Sequence, residues 1–326
     1  MSCNNSITVV NSARRTGSRV HIVAGIHHVV GIILVSEANT PGPPGSGMKP
    51  TLADTNIQSH GGRTFTHMET ATVDHHGRTT NYRIRDAGGD DPTILCIHGS
   101  GGALGAWRGQ FRLASDYPVA ALDLSGHGES DDVDADSGYE ALSAYVDDVV
   151  AVVEETGASV LVGNSLGGAV AMTFALERDI DLDALVLAGT GAKLSVLQDL
   201  LEWLDDDFDR AVEFLHGDDH LFHTTDERFI EGSKQAMYDA GQTVTSRDFR
   251  SCHTFDIRDE IDRIDVPTLA LVGEHDKLTP LSYHEYLADE MPDCELATIE
   301  DAAHLAMLEQ PRAFNAAVQD FLDRRV

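Results

Sequence analysis

Basic residues are scarce in this sequence of 326 residues, and lysine is nearly absent. Lysine and arginine together number 23 against 54 aspartates and glutamates, which gives a formal net charge of −31. A chain this acidic repels nucleic acids and anionic membranes, so we expect neither as a partner. Because carboxylates keep a surface hydrated in concentrated salt, the excess predicts a halophilic protein. Binding of a basic partner is the alternative.

Cysteine is also scarce, and long apolar runs are missing. The four cysteines form no CxxC pair and no cysteine–histidine pattern with zinc spacing. We therefore expect reduced thiols, a cytoplasmic location and no metal site. The longest apolar run, at residues 20–35, has 16 residues and includes three histidines, whereas a membrane-spanning helix needs about 20 apolar residues.

The first 67 residues differ in charge from the rest of the chain. They carry five basic and two acidic side chains, whereas the remaining 259 residues carry 18 basic and 52 acidic ones. Residues 41–47 are rich in proline and glycine, which is the composition of a linker. We therefore predict a disordered extension over residues 1–67, with Met68 as a second candidate start. A signal peptide at residues 20–35 that directs secretion is the alternative.

Short apolar segments alternate with helical stretches after this extension. The segments are continuously apolar, which is typical of a parallel sheet covered on both faces. Their alternation with helices predicts an α/β doubly wound domain. The strand candidates are residues 93–97, 119–122, 160–162, 184–188 and 268–272.

The alternation stops between residues 193 and 258, where no strand pattern is found. Leu197, Leu200, Leu201 and Leu204 follow the spacing of one helical face. We therefore predict a helical cap over residues 193–258, inserted after the sixth strand at the active-site end of the sheet. The α/β core then comprises residues 68–192 and 259–326.

A serine between two glycines follows the strand candidate at residues 160–162. Residues 163–167 read Gly-Asn-Ser-Leu-Gly, and a helical stretch follows them. The G-x-S-x-G nucleophile elbow requires this context, because the serine must project from a sharp turn while the glycines let strand and helix approach. We predict that Ser165 is a nucleophile. An ordinary glycine-rich turn is the alternative.

A serine hydroxyl needs a base, and that base needs an orienting carboxylate. Asp276 follows the strand candidate at residues 268–272, and His304 follows a strand-like segment at residues 296–299. The chain order of nucleophile, acid and histidine is that of the elbow-containing hydrolases. We therefore predict that Asp276 and His304 complete a catalytic triad, with Glu274 as the competing carboxylate.

Acyl transfer also needs two donors for the oxyanion of its tetrahedral intermediate. We predict the backbone N–H of Leu166, directly after the nucleophile, as one donor. The second is predicted in the glycine-rich loop at residues 98–102, from Ser100, with Gly99 as the alternative. This chemistry requires no cofactor.

Together these motifs resemble the α/β-hydrolase superfamily over residues 70–326. The resemblance implies a mostly parallel eight-stranded sheet with helices on both faces and a helical cap. The residues that carry it are His98-Gly99, the stretch DLSGHGES at residues 123–130, the elbow at residues 163–167, Asp276, and residues 303–311.

The resemblance also narrows the reaction. Epoxide hydrolases and haloalkane dehalogenases have aspartate where this chain has Ser165. The stretch at residues 125–130 is similar to the R-G-H-G-x-S form of esterases and enol-lactonases, with Ser125 replacing arginine, while Asn164 also occurs in carbon–carbon bond hydrolases.

We therefore predict hydrolysis of a small-molecule carboxylic ester or lactone through an acyl-enzyme. The alternatives are a carbon–carbon bond hydrolase, an acyltransferase and a noncatalytic ligand-binding protein. The predicted substrate-binding residues are His98, Gly99, Asn164, Trp203 and Cys252.

Overall fold

The computed structural model describes residues 68–86, 91–224 and 226–326, together with the backbone of two short N-terminal strands. The strands are β1 (Ile7–Asn11), β2 (Val20–Ile22), β3 (Glu69–His75), β4 (Arg78–Arg85), β5 (Thr93–Ile97), β6 (Val119–Leu122), β7 (Ala158–Asn164), β8 (Ala184–Ala188), β9 (Thr268–Gly273) and β10 (Cys294–Ile299). The helices are α1 (Tyr139–Thr156), α2 (Leu166–Glu177), α3 (Gln198–Asp206), α4 (Phe208–Leu215), α5 (Glu227–Thr254), α6 (Leu281–Glu290), α7 (Ala306–Glu309) and α8 (Pro311–Arg325). Single 3₁₀ turns lie at Leu104–Trp107, Gln110–Ser115 and Ile261–Arg263.

All strands belong to one sheet, in the order β2-β1-β10-β9-β8-β7-β5-β6-β4-β3. The six strands from β10 to β6 run parallel, and the hairpin of β3 and β4 completes the predicted eight strands with antiparallel pairing. The predicted mostly parallel α/β fold is thereby confirmed.

β1 and β2 extend the opposite edge of the sheet, where β1 pairs antiparallel with β10 and β2 pairs antiparallel with β1. These two strands fall within the predicted N-terminal extension. The rest of residues 1–67, including the proline- and glycine-rich linker and most of the apolar run, lies outside the described residues.

The parallel strands are apolar throughout because both of their faces are covered. Leu95 and Ile97 of β5 belong to one apolar cluster with residues of α1, α2 and α6, while Ile94 and Cys96 belong to a second cluster with residues of α8. This alternation follows from the period of two along a strand. Within the described residues, no helix combines the length and the apolarity needed to cross a bilayer.

Between β8 and β9 the chain leaves the sheet and forms α3, α4 and α5, which we call the helical insertion (residues 193–258). Its two ends lie side by side, because Leu194 N–H donates to Phe255 O at 3.2 Å and Ile257 N–H donates to Ala192 O at 2.8 Å. The insertion has its own apolar cluster, which includes Leu200 and Val212. α5 is broken at Gly241, whose φ is 80°.

The turn from β7 into α2 leaves no room for side chains on its two glycines. A Cβ on Gly163 would lie 2.3 Å from Gly167 O, and a Cβ on Gly167 would lie 2.2 Å from Ile97 O. Both obstacles are backbone atoms, which cannot rotate away. Glycine is therefore required at both positions for β5, β7 and α2 to approach as closely as they do.

We predict that Gly167→Ala lowers the free energy of unfolding by about 3 kcal/mol or more, because the added methyl overlaps the backbone of β5. Gly232→Ala on α5 is the matched control, since a Cβ there meets nothing within 4 Å. That variant should be about 0.5–1 kcal/mol more stable than the parent, owing to the higher helix propensity of alanine. Urea-induced unfolding measures both changes, and equal stability of the two variants would contradict the packing argument.

Candidate active site

Ser165 occupies the turn between β7 and α2 with φ 55° and ψ −116°, a conformation that non-glycine residues rarely adopt. Two hydrogen bonds to its backbone hold it there. Ser165 N–H donates to Ala188 O at 3.0 Å, and Thr190 Oγ1 donates to Ser165 O at 2.9 Å. The strained conformation is thus held by the last residue of β8 and by Thr190, which follows that strand.

Asp276 and His304 form a buried pair beyond the ends of β9 and β10. The distance between His304 Nδ1 and Asp276 Oδ2 is 2.9 Å. The carboxylate also accepts from Thr279 Oγ1 at 2.8 Å and from the backbone N–H groups of Leu278 and Thr279 at 2.9 and 2.8 Å. Burial would raise the pKa of Asp276, but the charge of His304 and these hydrogen bonds outweigh burial and lower it. Asp276 is therefore an anion that orients the imidazole.

Glu274, the competing carboxylate, is directed elsewhere. Its side chain is 52% exposed and lies 3.8 Å from His275, not at His304. Of the two candidates, the structure brings only Asp276 to the imidazole.

Ser165 and His304 line the same cavity. Asn164 links their two segments, because its Nδ2 donates at 3.2 Å both to Ala188 O and to His304 O. Neither Ser165 Oγ nor His304 Nε2 has a hydrogen-bond partner among the described residues. Both atoms are therefore available to a ligand in the cavity.

The loop at residues 98–102 is held by hydrogen bonds within itself and to its surroundings. His98 Nδ1–H donates to Gly99 O at 2.8 Å, and His98 Nε2 accepts from Leu124 N–H at 3.0 Å. Gly102 N–H donates to Gly99 O at 3.0 Å. In the part of the chain that the structure describes, the N–H groups of Ser100 and Leu166 have no partner, so both are free to bind an oxyanion.

A buried network of charged side chains is hydrogen-bonded to this loop. The sequence analysis did not predict this network. Asp248 of α5 accepts from Gly101 N–H at 2.9 Å, from Tyr145 Oη at 2.6 Å and from His127 Nε2 at 2.9 Å. His127 Nδ1 faces Ser125 O at 3.1 Å. Because both oxygens can only accept, His127 carries two N–H groups and is an imidazolium.

The pKa shifts in this network agree with a buried ion pair. Burial opposes the charge on both partners, but the mutual attraction of His127 and Asp248 and their hydrogen bonds raise the pKa of His127 and lower that of Asp248. The neighbouring His98 stays neutral, since burial and the charge of His127 lower its pKa to about 4. Asp248 therefore connects the helical insertion to the loop that carries Ser100.

The stretch at residues 123–130, which carried the family resemblance, has a scaffolding role. Asp123 Oδ1 accepts from Leu104 N–H at 2.7 Å, and Asp123 Oδ2 accepts from Asn81 Nδ2 at 2.8 Å. A Cβ on Gly128 would lie 2.2 Å from Asp123 Oδ2, which explains the glycine there. No residue of this stretch lines the cavity, but the ring of His127 packs against that of His98, which does.

The segment that carries His304 is also fixed by the helical insertion. His304 N–H donates to His220 O at 3.4 Å, and Leu305 N–H donates to Leu221 O at 3.0 Å. Glu309 joins the same segments, since its carboxylate accepts from Ala303 N–H at 2.6 Å and from His223 N–H at 2.9 Å. Hydrogen bonds thus join the insertion directly to the loop that carries His304.

The cavity has a volume of about 590 Å³, and both the core and the insertion line it. Of the predicted substrate-binding residues, His98, Gly99, Asn164 and Cys252 line it, but Trp203 does not. Trp203 instead packs against Phe214 at 5.3 Å and under Arg210 at 4.1 Å. On α3 it is Leu200 that reaches the cavity, and Trp203, three residues later, faces α4 instead.

Asp219, His223 and His275 form a group whose possible ligand atoms lie within 4.8 Å of one another. The Asp219 carboxylate is already engaged, however, by Lys277 Nζ at 2.7 Å and by His223 Nδ1 at 2.5 Å. The rings of His223 and His275 are stacked at 3.6 Å. We assign no metal to this group.

The strained Ser165 and His304, the partner of the buried Asp276, thus line one cavity together with Ser100. A family model described as "Alpha/beta hydrolase family" matches residues 94–317. The chain belongs to the alpha/beta hydrolase family. The sequence-based expectation of this family is thereby confirmed.

Relatives of this alpha/beta hydrolase include enzymes with different substrates. A pimeloyl-[acyl-carrier protein] methyl ester esterase of Neisseria meningitidis is 30% identical over 255 residues, which cover 71% of this chain and 93% of the relative. A 2-hydroxy-6-oxo-6-(2'-aminophenyl)hexa-2,4-dienoic acid hydrolase of Metapseudomonas resinovorans is 28% identical and covers 74% and 88%. A solved thermophilic esterase is 33% identical, with a TM-score of 0.70 and coverage of 79% and 98%. The hydrolase is therefore related to esterases.

We predict that Asp248→Asn lowers the free energy of unfolding by about 3–5 kcal/mol at pH 7, because the neutral amide leaves a buried imidazolium without its counter-ion. Asp132→Asn is the control, since Asp132 pairs with Arg247 but its side chain is 52% exposed. That change should cost less than about 1 kcal/mol. Urea-induced unfolding tests both, and a loss below 1 kcal/mol for Asp248→Asn would show that His127 is not charged in the folded protein.

Proposed function

We propose that this hydrolase cleaves a carboxylic ester or lactone through an acyl-enzyme formed on Ser165. The observation that carries the proposal is the convergence of a strained serine and a carboxylate-bound histidine on one cavity. The esterase relatives support an ester substrate.

In the proposed reaction, His304 Nε2 takes the proton of Ser165 Oγ while the oxygen attacks the acyl carbon. Asp276 holds the proton on Nδ1 and stabilises the imidazolium that forms. The N–H groups of Leu166 and Ser100 bind the oxyanion of the tetrahedral intermediate. His304 then protonates the leaving alcohol, and in the second half it activates the water that releases the acid. The hydrogen bond between serine and histidine is often long without substrate and shortens in the complex.

The described cysteines support a reducing, cytoplasmic compartment as part of the proposal. Cys96, Cys252 and Cys294 are all free and buried, and burial raises the pKa of Cys252 to about 12, with a similar effect on Cys294. Inert thiols of this kind need no oxidising environment.

The acidic composition leads us to propose halophilic activity as well, which activity assays in dilute and in concentrated salt test.

A carbon–carbon bond hydrolase is the second candidate, because the relative from Metapseudomonas resinovorans is named as a hydrolase of a dienoic acid. Product analysis with an ester and with a ring-cleavage dienone as alternative substrates distinguishes the two. Faster turnover of the dienone would replace the ester proposal.

We predict that Ser165→Ala lowers kcat for a 4-nitrophenyl ester by about 10⁴-fold or more, because no other group can form the acyl-enzyme. Ser246→Ala is the control and should retain full activity, because Ser246 is a half-buried residue of α5 that donates to Asp205 and does not line the cavity. A fluorophosphonate probe should add one equivalent of mass to the parent and to Ser246→Ala, and none to Ser165→Ala. Labelling of the Ser165→Ala protein would place the nucleophile elsewhere.

Asp276 and Glu274 can be separated by matched amide substitutions. We predict that Asp276→Asn lowers kcat by about 10⁴-fold, because the amide stabilises the wrong tautomer of His304. Glu274→Gln should change kcat less than about twofold, since Glu274 does not contact His304. Steady-state kinetics of the two variants decide between them, and the reverse order of activities would make Glu274 the acid.

A further inference from the structure

The cavity carries a charge opposite to that of the whole chain. The chain has 54 acidic side chains and only 23 basic ones. Nevertheless the residues that line the cavity include no aspartate or glutamate, while they do include Arg108, Arg228 and Lys277. In a protein with a net charge of −31, such a distribution favours a ligand with negative charge, because the rest of the surface repels anions.

Two of the three cations already have a carboxylate partner. Arg228 Nη2 lies 2.6 Å from Asp226 Oδ2, and Lys277 Nζ lies 2.7 Å from Asp219 Oδ2. Arg108 has no carboxylate within ion-pair distance in the described part of the chain. Its guanidinium is thus the cation of the cavity whose donors are free for a ligand.

Arg108 is an exposed residue whose guanidinium stacks on one ring of the cavity lining. Its Cζ lies 4.4 Å from the centre of the Phe229 ring, which also lines the cavity. The preceding residue, Trp107, is fully buried and packs against Phe314 at 6.1 Å. A guanidinium stacked on an aromatic ring keeps its N–H edges available, and those edges match the two oxygens of a carboxylate.

We propose that Arg108 binds an anionic group of the substrate, so that the preferred ester carries a carboxylate remote from the bond that is cleaved. The proposal rests on the proposed ester hydrolysis. The walls of the cavity are largely apolar and include Leu200, Met237 and Leu278. They suit the connecting chain between the ester bond and the carboxylate. The carboxylate can belong to the acyl part or to the alcohol part, and the two arms of the experiment distinguish them.

The experiment compares isosteric esters that differ only in charge. The acyl arm uses the mono-4-nitrophenyl ester of octanedioic acid and its ω-carboxamide analogue. The alcohol arm uses 4-(carboxymethyl)phenyl octanoate and 4-(carbamoylmethyl)phenyl octanoate, in which a methylene group separates the charged or neutral group from the leaving phenol. We expect the parent enzyme to prefer the carboxylate over the carboxamide about tenfold in kcat/KM in one arm, as befits a charge-assisted hydrogen bond.

Variants of Arg108 test the source of that preference. Arg108→Gln should remove it, whereas Arg108→Lys should retain part of it, because lysine keeps the charge but not the planar fork. Arg112→Gln is the matched control: it removes the same charge from an exposed arginine four residues away that does not line the cavity. The control should keep the full preference.

A binding measurement without turnover separates this inference from the proposed reaction. Calorimetry on the Ser165→Ala protein compares the monoamide of octanedioic acid, which has one carboxylate, with the diamide, which has none, and repeats the comparison in the Ser165→Ala/Arg108→Gln protein. Tighter binding of the monoamide that depends on Arg108 supports the subsite even if none of the esters is hydrolysed. Equal rates for the acid and amide esters and equal binding of monoamide and diamide, or a preference that persists in Arg108→Gln, would overturn it.

Discussion

The close contact of three backbone segments at the turn after β7 is the constraint on which the site depends. Gly163 and Gly167 allow α2 to start directly against β5, and this start forces Ser165 into its unusual conformation. The same geometry leaves the N–H of Leu166 without a helical partner. Because β7, β8, β9 and β10 are adjacent and parallel, the loops that carry Asp276 and His304 end at the same edge of the sheet as the serine.

Two buried carboxylates then complete the site in similar ways. Asp276 and Asp248 are each surrounded by several donors and a histidine, so that both keep a lowered pKa although burial opposes their charge. Asp276 orients the imidazole beside the cavity, whereas Asp248 orients a loop of backbone amides. In both cases one buried carboxylate, hydrogen-bonded to several donors, fixes the position of the groups that donate to it.

The parts of the site that sequence reasoning could predict are those that follow strand ends. Ser165, Asp276 and His304 each follow a continuous apolar segment, and such segments are distinctive, which is also why the parallel sheet was predictable. Asp248 gave no comparable signal, because it is one of 54 acidic residues and lies within a helix of the insertion. Trp203 was misplaced for a related reason: helical periodicity shows which residues share a face, but not whether that face meets the cavity or α4.

The hydrogen bond from Gly101 N–H to Asp248 links the conformation of the proposed oxyanion loop to the position of α5. If α5 lifted away to admit a substrate, the loop would lose its carboxylate support and the buried imidazolium of His127 would lose its counter-ion. The arrangement of the loop that carries Ser100 therefore depends on α5 staying packed against the core, so that a helix distant in sequence contributes to the order of the proposed oxyanion site.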